Sequence, residues 1–109
     1  MVRNKRGVMG ESLGMLITTN RHLDYVLRLT DAARARRKKV ELFFTGKGVL
    51  LTQHPDFKKL VGKARVSVCD ISFRMWGLSG PAPGIFFNDF ATQLRNAEMI
   101  EKCDRYVVF

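Results

Sequence analysis

Residues 65–78, RVSVCDISFRMWGL, join the two patterns that decide the fold. Apolar and polar residues first alternate as far as Val68, which is typical of a strand with two different faces. An amphipathic stretch then runs from Cys69 to about Trp76, which predicts a helix. A strand followed directly by a helix is half of a βαβ unit, so this junction predicts a parallel sheet.

Strand and helix patterns also alternate in both directions from this junction. The predicted strands cover residues 12–19, 39–45, 64–68, 85–87 and 104–109. Between the first two, a helix should begin near His22, with Asn20 as its N-cap, and end near Arg37. Its predicted apolar face consists of Leu23, Val26, Leu27, Thr30 and Ala33.

The last helix precedes the fifth strand, and Asn88 or Asp89 is its predicted N-cap. Phe90 should lie at the start of its apolar face. Because strands and helices alternate, we expect right-handed crossovers and parallel strands. The predicted fold is therefore α/β, a doubly wound, flavodoxin-like, mostly parallel five-stranded sheet with helices on both faces. Residues 12–109 should form this single domain, and residues 1–11 a flexible basic arm.

The composition is that of a small globular domain with a large positive charge. The 109 residues carry 19 Lys and Arg against 10 Asp and Glu, which gives a net charge of +9. Such a charge favours acidic partners, either protein surfaces or nucleic acid. Five of the cations fall within residues 34–39, RARRKK. They predict either a solvated helix end, where cations complement the helix dipole, or a docking surface.

Several classes of protein are excluded by what the sequence lacks. No segment approaches the roughly 20 apolar residues of a membrane span, and the basic start lacks the apolar run of a signal peptide. The two cysteines form neither a CxxC pair nor a Cys/His cluster, so we predict no metal site. We also predict a cytoplasmic location in which both thiols stay reduced.

Cys69 is the candidate reactive residue, because it follows the third predicted strand and begins a helix. Ligands of doubly wound sheets gather at the carboxyl ends of the strands. Free amides and the dipole at a helix start lower the pKa of a cysteine. The charge of Asp70 should oppose this effect, and Arg74 should assist it if its side chain folds back. Trp76 would shield the sulfur, although a small buried hydrophobic residue is the alternative interpretation of Cys69.

Cys103 is predicted to lie at the opposite edge of the sheet, since it ends the last helix just before the fifth strand. A strand of about five residues is ~17 Å long, whereas bridged cysteines have Cα atoms within ~7 Å of each other. We therefore expect no disulfide between Cys69 and Cys103. Cys103 is interpreted as a core residue.

Three stretches of the chain resemble the DsrE/DsrF-like sulfur-relay proteins, including their TusD-type and YchN-like members. The first is the cysteine at a strand end with a glycine eight residues later, Cys69 and Gly77. The second is residues 43–49, FFTGKGV, which resemble the second strand of the family and its entry to a helix. The third is residues 101–109, EKCDRYVVF, which are similar to its closing segment. The resemblance extends over about residues 12–109.

The resemblance implies a sulfur carrier or sulfurtransferase in which Cys69 accepts sulfane sulfur as a persulfide and passes it on. It implies protein partners that donate and accept sulfur, and no metal or organic cofactor. It also implies a homo-oligomer, a trimer or hexamer, or a hetero-oligomer of related subunits. The predicted supporting site consists of Asp70, Ser72, Arg74, Trp76 and Gly77.

The alternative function is a non-catalytic oligomeric interaction module whose basic surface binds acidic proteins or RNA. It predicts an unreactive Cys69 and binding that depends strongly on salt. The basic and aromatic residues match no RNA-reading motif, such as an RNP pattern. A thiol peroxidase is disfavoured, because no TxxC motif precedes Cys69.

Overall fold

The computed structural model describes residues 2–4, 12–79, 84–85 and 89–109. Its strands are β1 (Val2–Asn4), β2 (Ser12–Ile17), β3 (Lys39–Phe44), β4 (Arg65–Cys69), β5 (Phe90–Ala91) and β6 (Arg105–Val108). Its α-helices are α1 (Leu23–Ala35), α2 (Asp70–Met75) and α3 (Gln93–Lys102). Two 3₁₀ helices, Gly46–Gln53 and Pro55–Leu60, connect β3 to β4.

The strands form one sheet in the order β1-β6-β2-β3-β4-β5. Five of them are parallel, and β1 pairs antiparallel with β6 at the edge. This confirms the predicted α/β fold, a doubly wound and mostly parallel sheet of the flavodoxin-like kind. The strand order differs from the 2-1-3-4-5 order of flavodoxin itself, because the last strand returns to the far side of the first parallel strand. Within residues 1–11, for which a flexible arm is predicted, Val2–Asn4 form a strand. The rest of that segment lies outside the described residues.

The direction of the crossovers decides which face each helix covers. From β2 to β5 the chain moves one way across the sheet, and the last connection moves back. Since βαβ crossovers are right-handed, α1, the 3₁₀ helices and α2 lie on one face and α3 lies alone on the other. The larger core cluster lies on the first face. The smaller one, which we call the α3-side cluster, contains Phe43, Cys69, Met99, Cys103 and Tyr106.

Helix α1 confirms the predicted apolar face. Leu23, Val26, Thr30 and Ala33 are buried, and Leu27 is half-buried against the same core. The predicted cap is wrong, since the N-cap is His22 rather than Asn20. The His22 side chain makes no capping hydrogen bond, so packing of the apolar face rather than a cap fixes where α1 begins.

The fourth parallel strand lies further along the chain than predicted. Ile85 forms only an isolated bridge, and residues 86–88 lie outside the described residues. The strand is instead Phe90–Ala91, which pairs with the last two residues of β4. Phe90 belongs to this strand rather than to the last helix, because its ring packs edge-on against Phe73 of α2 at a centroid distance of 4.9 Å.

The start of the last helix is corrected accordingly. Helix α3 begins at Gln93, and its N-cap is Thr92 rather than Asp89, while Asn88 lies outside the described residues. The Thr92 hydroxyl accepts a hydrogen bond from the Leu94 amide at 3.3 Å, which satisfies one of the free amides of the first turn. None of the helices in the described ranges is long and apolar enough to cross a membrane.

Candidate thiol site at the end of β4

Cys69 occupies the junction that the sequence predicts. It is the last residue of β4 and the N-cap of α2. Its side chain points to the α3 face, where it belongs to the α3-side cluster with Phe43 and Met99. The residue is only 4% exposed. The thiol therefore lies at the carboxyl edge of the sheet but beneath its surface.

Polar groups lie near this thiol, although its side chain does not cap the first turn of α2. They are the hydroxyl groups of Ser72 and Thr45 and the backbone amides of Ser72 and Ile71. Burial raises the pKa of Cys69, but these polar groups together outweigh it and hold the pKa below the ordinary value of 9.0. The environment therefore favours the thiolate, which is the nucleophilic form of a cysteine.

The two hydroxyl groups near the thiol are held in place by amides. The oxygen atoms of Ser72 and Thr45 lie 3.3 Å apart. The Gly46 amide donates to the Ser72 hydroxyl oxygen at 3.0 Å, and the Gln93 side-chain amide donates to the Thr45 oxygen at 2.9 Å. One of the two hydroxyl groups donates its proton to the other, so one hydroxyl proton of the pair remains free to be donated toward the sulfur.

The loop after β3 supplies one of these amides. Gly46 has a φ of +55°, a left-handed conformation that side chains with a Cβ adopt only at a cost. This turn directs its amide toward Ser72 on the neighbouring helix. Two residues later, a Cβ at Gly48 would lie 2.1 Å from the carbonyl oxygen of Ile17. Glycine is therefore required at position 48 for the loop to pack against the end of β2.

Asp70 and Arg74 interact with each other rather than with the thiol. The Arg74 side chain folds back by one turn and contacts the Asp70 carboxylate at 2.8 Å. Both side chains are substantially exposed, so the pair contributes little stability. Its effect on the site is electrostatic, because the guanidinium offsets the negative charge that would disfavour a thiolate next to it.

Trp76 and Gly77 lie at the other end of α2. Trp76 is the C-cap residue and is 44% exposed. Gly77 follows it with a φ of +73° and donates its amide to the Arg74 carbonyl, which ends the helix. Because the six residues of α2 span about 9 Å, Trp76 and Gly77 lie at the end of the helix that is away from the Cys69 sulfur. Of the predicted supporting residues, the structure thus brings only Ser72 directly to the thiol.

Helix α3 covers the thiol from the opposite side. Gln93, in its first turn, reaches Thr45. Arg95 donates to the Ser67 hydroxyl at 2.7 Å, and Ser67 lies two residues before Cys69 on the same face of β4. Arg95 also contacts Glu98 at 3.7 Å. The start of α3 is therefore held to the ends of β3 and β4 by two side-chain hydrogen bonds.

Cys103 lies at the opposite edge of the same face, as predicted. It is the C-cap of α3 and is completely buried. Its sulfur donates toward the Glu41 carboxylate at 3.7 Å. Burial and the charges of Glu41 and Asp104 raise its pKa to about 11, so it stays a thiol at neutral pH. Both cysteines are free, in agreement with the prediction of no disulfide.

The described residues contain no group of three or more potential metal ligands. The two histidines are also not positioned beside the thiol. His54 accepts a hydrogen bond from the Asp56 amide at 3.0 Å, and His22 packs near Tyr25 and Phe109. The arrangement can therefore stabilise a thiolate through hydrogen bonds, without an adjacent base.

No family model, curated protein or solved structure matches this chain significantly.

Three residues of the site were missed in the sequence, namely Thr45, Gly46 and Gln93. Thr45 and Gly46 end the second predicted strand, and parallel neighbours end at the same edge, so their proximity to Cys69 could have been inferred. Gln93 could not have been found in this way. Its contact depends on where α3 begins, and that differs from the prediction.

Proposed function

We propose that this protein is a sulfur carrier in which Cys69 holds sulfane sulfur as a persulfide and transfers it to a partner protein. The observation that carries the proposal is the polar setting of the buried Cys69 thiol, at the end of β4 beside the paired hydroxyl groups of Ser72 and Thr45, with its pKa held below the ordinary value. A buried cysteine that serves only as packing needs no such setting. The resemblance of residues 69–77, 43–49 and 101–109 to the DsrE/DsrF-like proteins supports the same function.

The chemical step is an exchange at sulfur that needs no external oxidant. The Cys69 thiolate attacks the outer sulfur of a donor persulfide, R–S–SH, and forms a new S–S bond. The S–S bond of the donor breaks, and the donor leaves as a thiolate. The terminal sulfur keeps its proton. A partner thiolate then repeats this attack on the Cys69 persulfide, so Cys69 returns to its thiolate form.

Both steps require access to a sulfur that is almost fully covered. Because Cys69 is only 4% exposed, the cover over it must open when a partner docks. The hydrogen bond between Gln93 and Thr45 is the contact at the exposed rim that must break or shift. Between transfers, the same cover would protect a persulfide from solvent reductants.

The remaining parts of the proposal concern the setting of this chemistry. The partners would be a sulfur donor protein and an acceptor protein, attracted by the net charge of +9. We propose a cytoplasmic location, where both thiols stay reduced. The protein would act as a homotrimer, a homohexamer or a hetero-oligomer of related subunits, as in the family it resembles.

Mass spectrometry after incubation with inorganic tetrasulfide tests the proposal. We expect adducts that add about 32 Da per sulfur atom, located on the peptide that contains Cys69. Cys69→Ser should abolish them, whereas Cys103→Ala, the matched control, should retain them. If the wild-type protein acquires no sulfur, or acquires it on Cys103 alone, the carrier function is wrong.

The pH dependence of alkylation separates this function from the alternative of a non-catalytic interaction module. A carrier should show an inflection for Cys69 below about pH 7.5, whereas an inert thiol titrates at or above about pH 8.5. The second result, together with the absence of a sulfur adduct, would favour the interaction module.

A further inference from the structure

The amino edge of the sheet, opposite the thiol site, carries a concentration of positive charge. Strands β3 and β6 begin there at Lys39 and Arg105, because both are parallel to β2. Helices α1 and α3 end at the same edge, since each runs back before a parallel strand. We define the amino-edge surface by the cations gathered there: Arg36, Arg37, Lys38, Lys39, Lys102 and Arg105.

Among the described residues, none of these six side chains forms an ion pair with a carboxylate. The carboxylates of Glu101 and Asp104 also lie at this edge, and each has an interaction of its own. All six cations are exposed except Lys38, which is half-buried. Neighbouring cations are paired: Lys63 contacts Asp31 at 2.9 Å, and Arg65 contacts Glu41 at 3.6 Å. The six like charges repel one another, and a polyanion would relieve that repulsion.

The backbone at Arg37 adds an independent observation. Its φ is +61°, and it is the only residue other than glycine with a positive φ in the described part of the chain. The Arg37 amide donates to the Arg34 carbonyl and the Lys38 amide to the Ala33 carbonyl, each at 2.9 Å. This is a helix end where glycine is preferred, because a left-handed conformation is strained for a residue with a Cβ. Arginine thus occupies a position at which glycine would be less strained.

We propose that the amino-edge surface binds the phosphate backbone of a double-stranded nucleic acid, without reading its sequence. Arginine guanidinium groups match phosphate oxygens in pairs, and backbone binding needs no other chemistry. Lys39 and Arg105 belong to strands on either side of β2, so their backbones lie about 10 Å apart. The cations from α1 and α3 extend the surface onto both faces of the sheet.

The side chains at this surface favour double-stranded over single-stranded nucleic acid. Single-stranded nucleic acid is held by stacking on exposed aromatic rings. The exposed aromatic residues of the described chain are elsewhere, Tyr25 in the first turn of α1 and Trp76 at the end of α2.

Fluorescence anisotropy with labelled 20-base-pair RNA and DNA duplexes tests the proposal on the full chain. We expect binding to both at low salt, with a logarithmic salt slope that falls by about one for each cation removed. The triple variant Arg36→Gln, Arg37→Gln, Lys39→Gln should bind at least about tenfold more weakly. Cys69→Ser should bind normally, because this surface is independent of the sulfur-carrier function.

The matched control removes the same charge at positions outside the amino-edge surface. Arg21→Gln, Arg28→Gln, Lys47→Gln alters three exposed residues that lie outside the amino-edge surface. It should retain most of the affinity. An equal loss in both triple variants would show attraction by net charge alone and would overturn the proposal. So would an absence of duplex binding, tighter binding of single strands, or equal binding of poly-glutamate, which would indicate an acidic protein partner.

Arg37→Gly separates binding from folding. Glycine adopts the observed φ without strain, so the melting temperature should be unchanged or higher. The affinity for a duplex should nevertheless fall severalfold, with a smaller salt slope. Unchanged affinity in this stable variant would remove Arg37 from the surface and contradict the argument drawn from its backbone.

Discussion

Cys69 and Cys103 lie on the same face of one sheet, under the same helix, and both are buried. Their pKa values nevertheless shift in opposite directions. Hydroxyl groups and amides surround Cys69, whereas carboxylates lie near Cys103. Burial alone therefore does not determine the direction of a thiol's pKa shift in this protein. The polar groups near each thiol determine that direction.

Alkaline unfolding should show the largest effect of this contrast. The pKa of Cys103 is about 11 in the folded protein, above the ordinary 9.0. Its stabilising contribution is thus fully present below pH 9 and is lost as the pH rises through 11. At pH 11 the wild-type protein should have lost about 2 kcal/mol more than Cys103→Ala, measured by denaturant unfolding against pH.

Cys69→Ala is the control for this experiment, because Cys69 contributes with the opposite sign. Its folded pKa is lowered, so its contribution is present above pH 9.0 and is lost as the pH falls through its folded value. If the free energy of unfolding changed with pH in the same way for both variants and the wild type, the opposite pKa shifts of the two thiols would be contradicted.

Alkylation at pH 7 should distinguish the two cysteines by a smaller factor. The pKa values of the two thiols differ by more than two units, which favours the Cys69 thiolate at least about 100-fold. The higher intrinsic nucleophilicity of a more basic thiolate cancels about half of this logarithmic difference. Peptide mass spectrometry with iodoacetamide should therefore find Cys69 at least about tenfold faster. Equal rates would mean that access, rather than ionisation, limits both.

Ser72→Ala should reduce the difference between the two cysteine pKa values by acting on Cys69. It removes one hydroxyl donor, and a hydrogen bond to a charged group is worth about 1.5–3 kcal/mol. We expect the pKa of Cys69 to rise, with an alkylation rate at pH 7 about threefold lower. Ser79→Ala alters an exposed serine beyond α2 and should leave both unchanged.

Gln93→Ala should produce the smallest effect, because Gln93 acts on the thiol only through Thr45. Without its amide, the Thr45 hydroxyl is less firmly oriented toward the sulfur. The pKa of Cys69 should rise by less than it does in Ser72→Ala. Exposed Gln53, which donates to Thr52 in the first 3₁₀ helix, offers the matched control Gln53→Ala. A shift larger than that of Ser72→Ala would contradict this order of influence.

The sequence is sufficient for the parts of the fold that depend on local patterns. The apolar face of α1 and the junction at Cys69 are both visible in consecutive residues, and the structure confirms both. β1 has only three residues and no apolar pattern, so its pairing with β6 could not be predicted. Phe90 fits either a strand or a helix until its contact with Phe73 is known.

The thiol site was predictable only in part, for the same reason. Cys69 and Ser72 share one helix start, so their proximity follows from helix geometry. Thr45 and Gln93 lie 24 residues to either side of Cys69 and meet it only through the alignment of three separate elements. The spacing of these residues along the chain does not indicate that they come together in the fold.

The single helix on the α3 face has a consequence for how this protein opens. Because α3 packs over both cysteines, one local unfolding event that lifts it would uncover both sulfurs together, without melting the larger core on the other face. The rate at which the otherwise inert Cys103 is labelled would then measure how often α3 opens. Under native conditions, this rate also gives the frequency at which fluctuation alone uncovers the Cys69 sulfur.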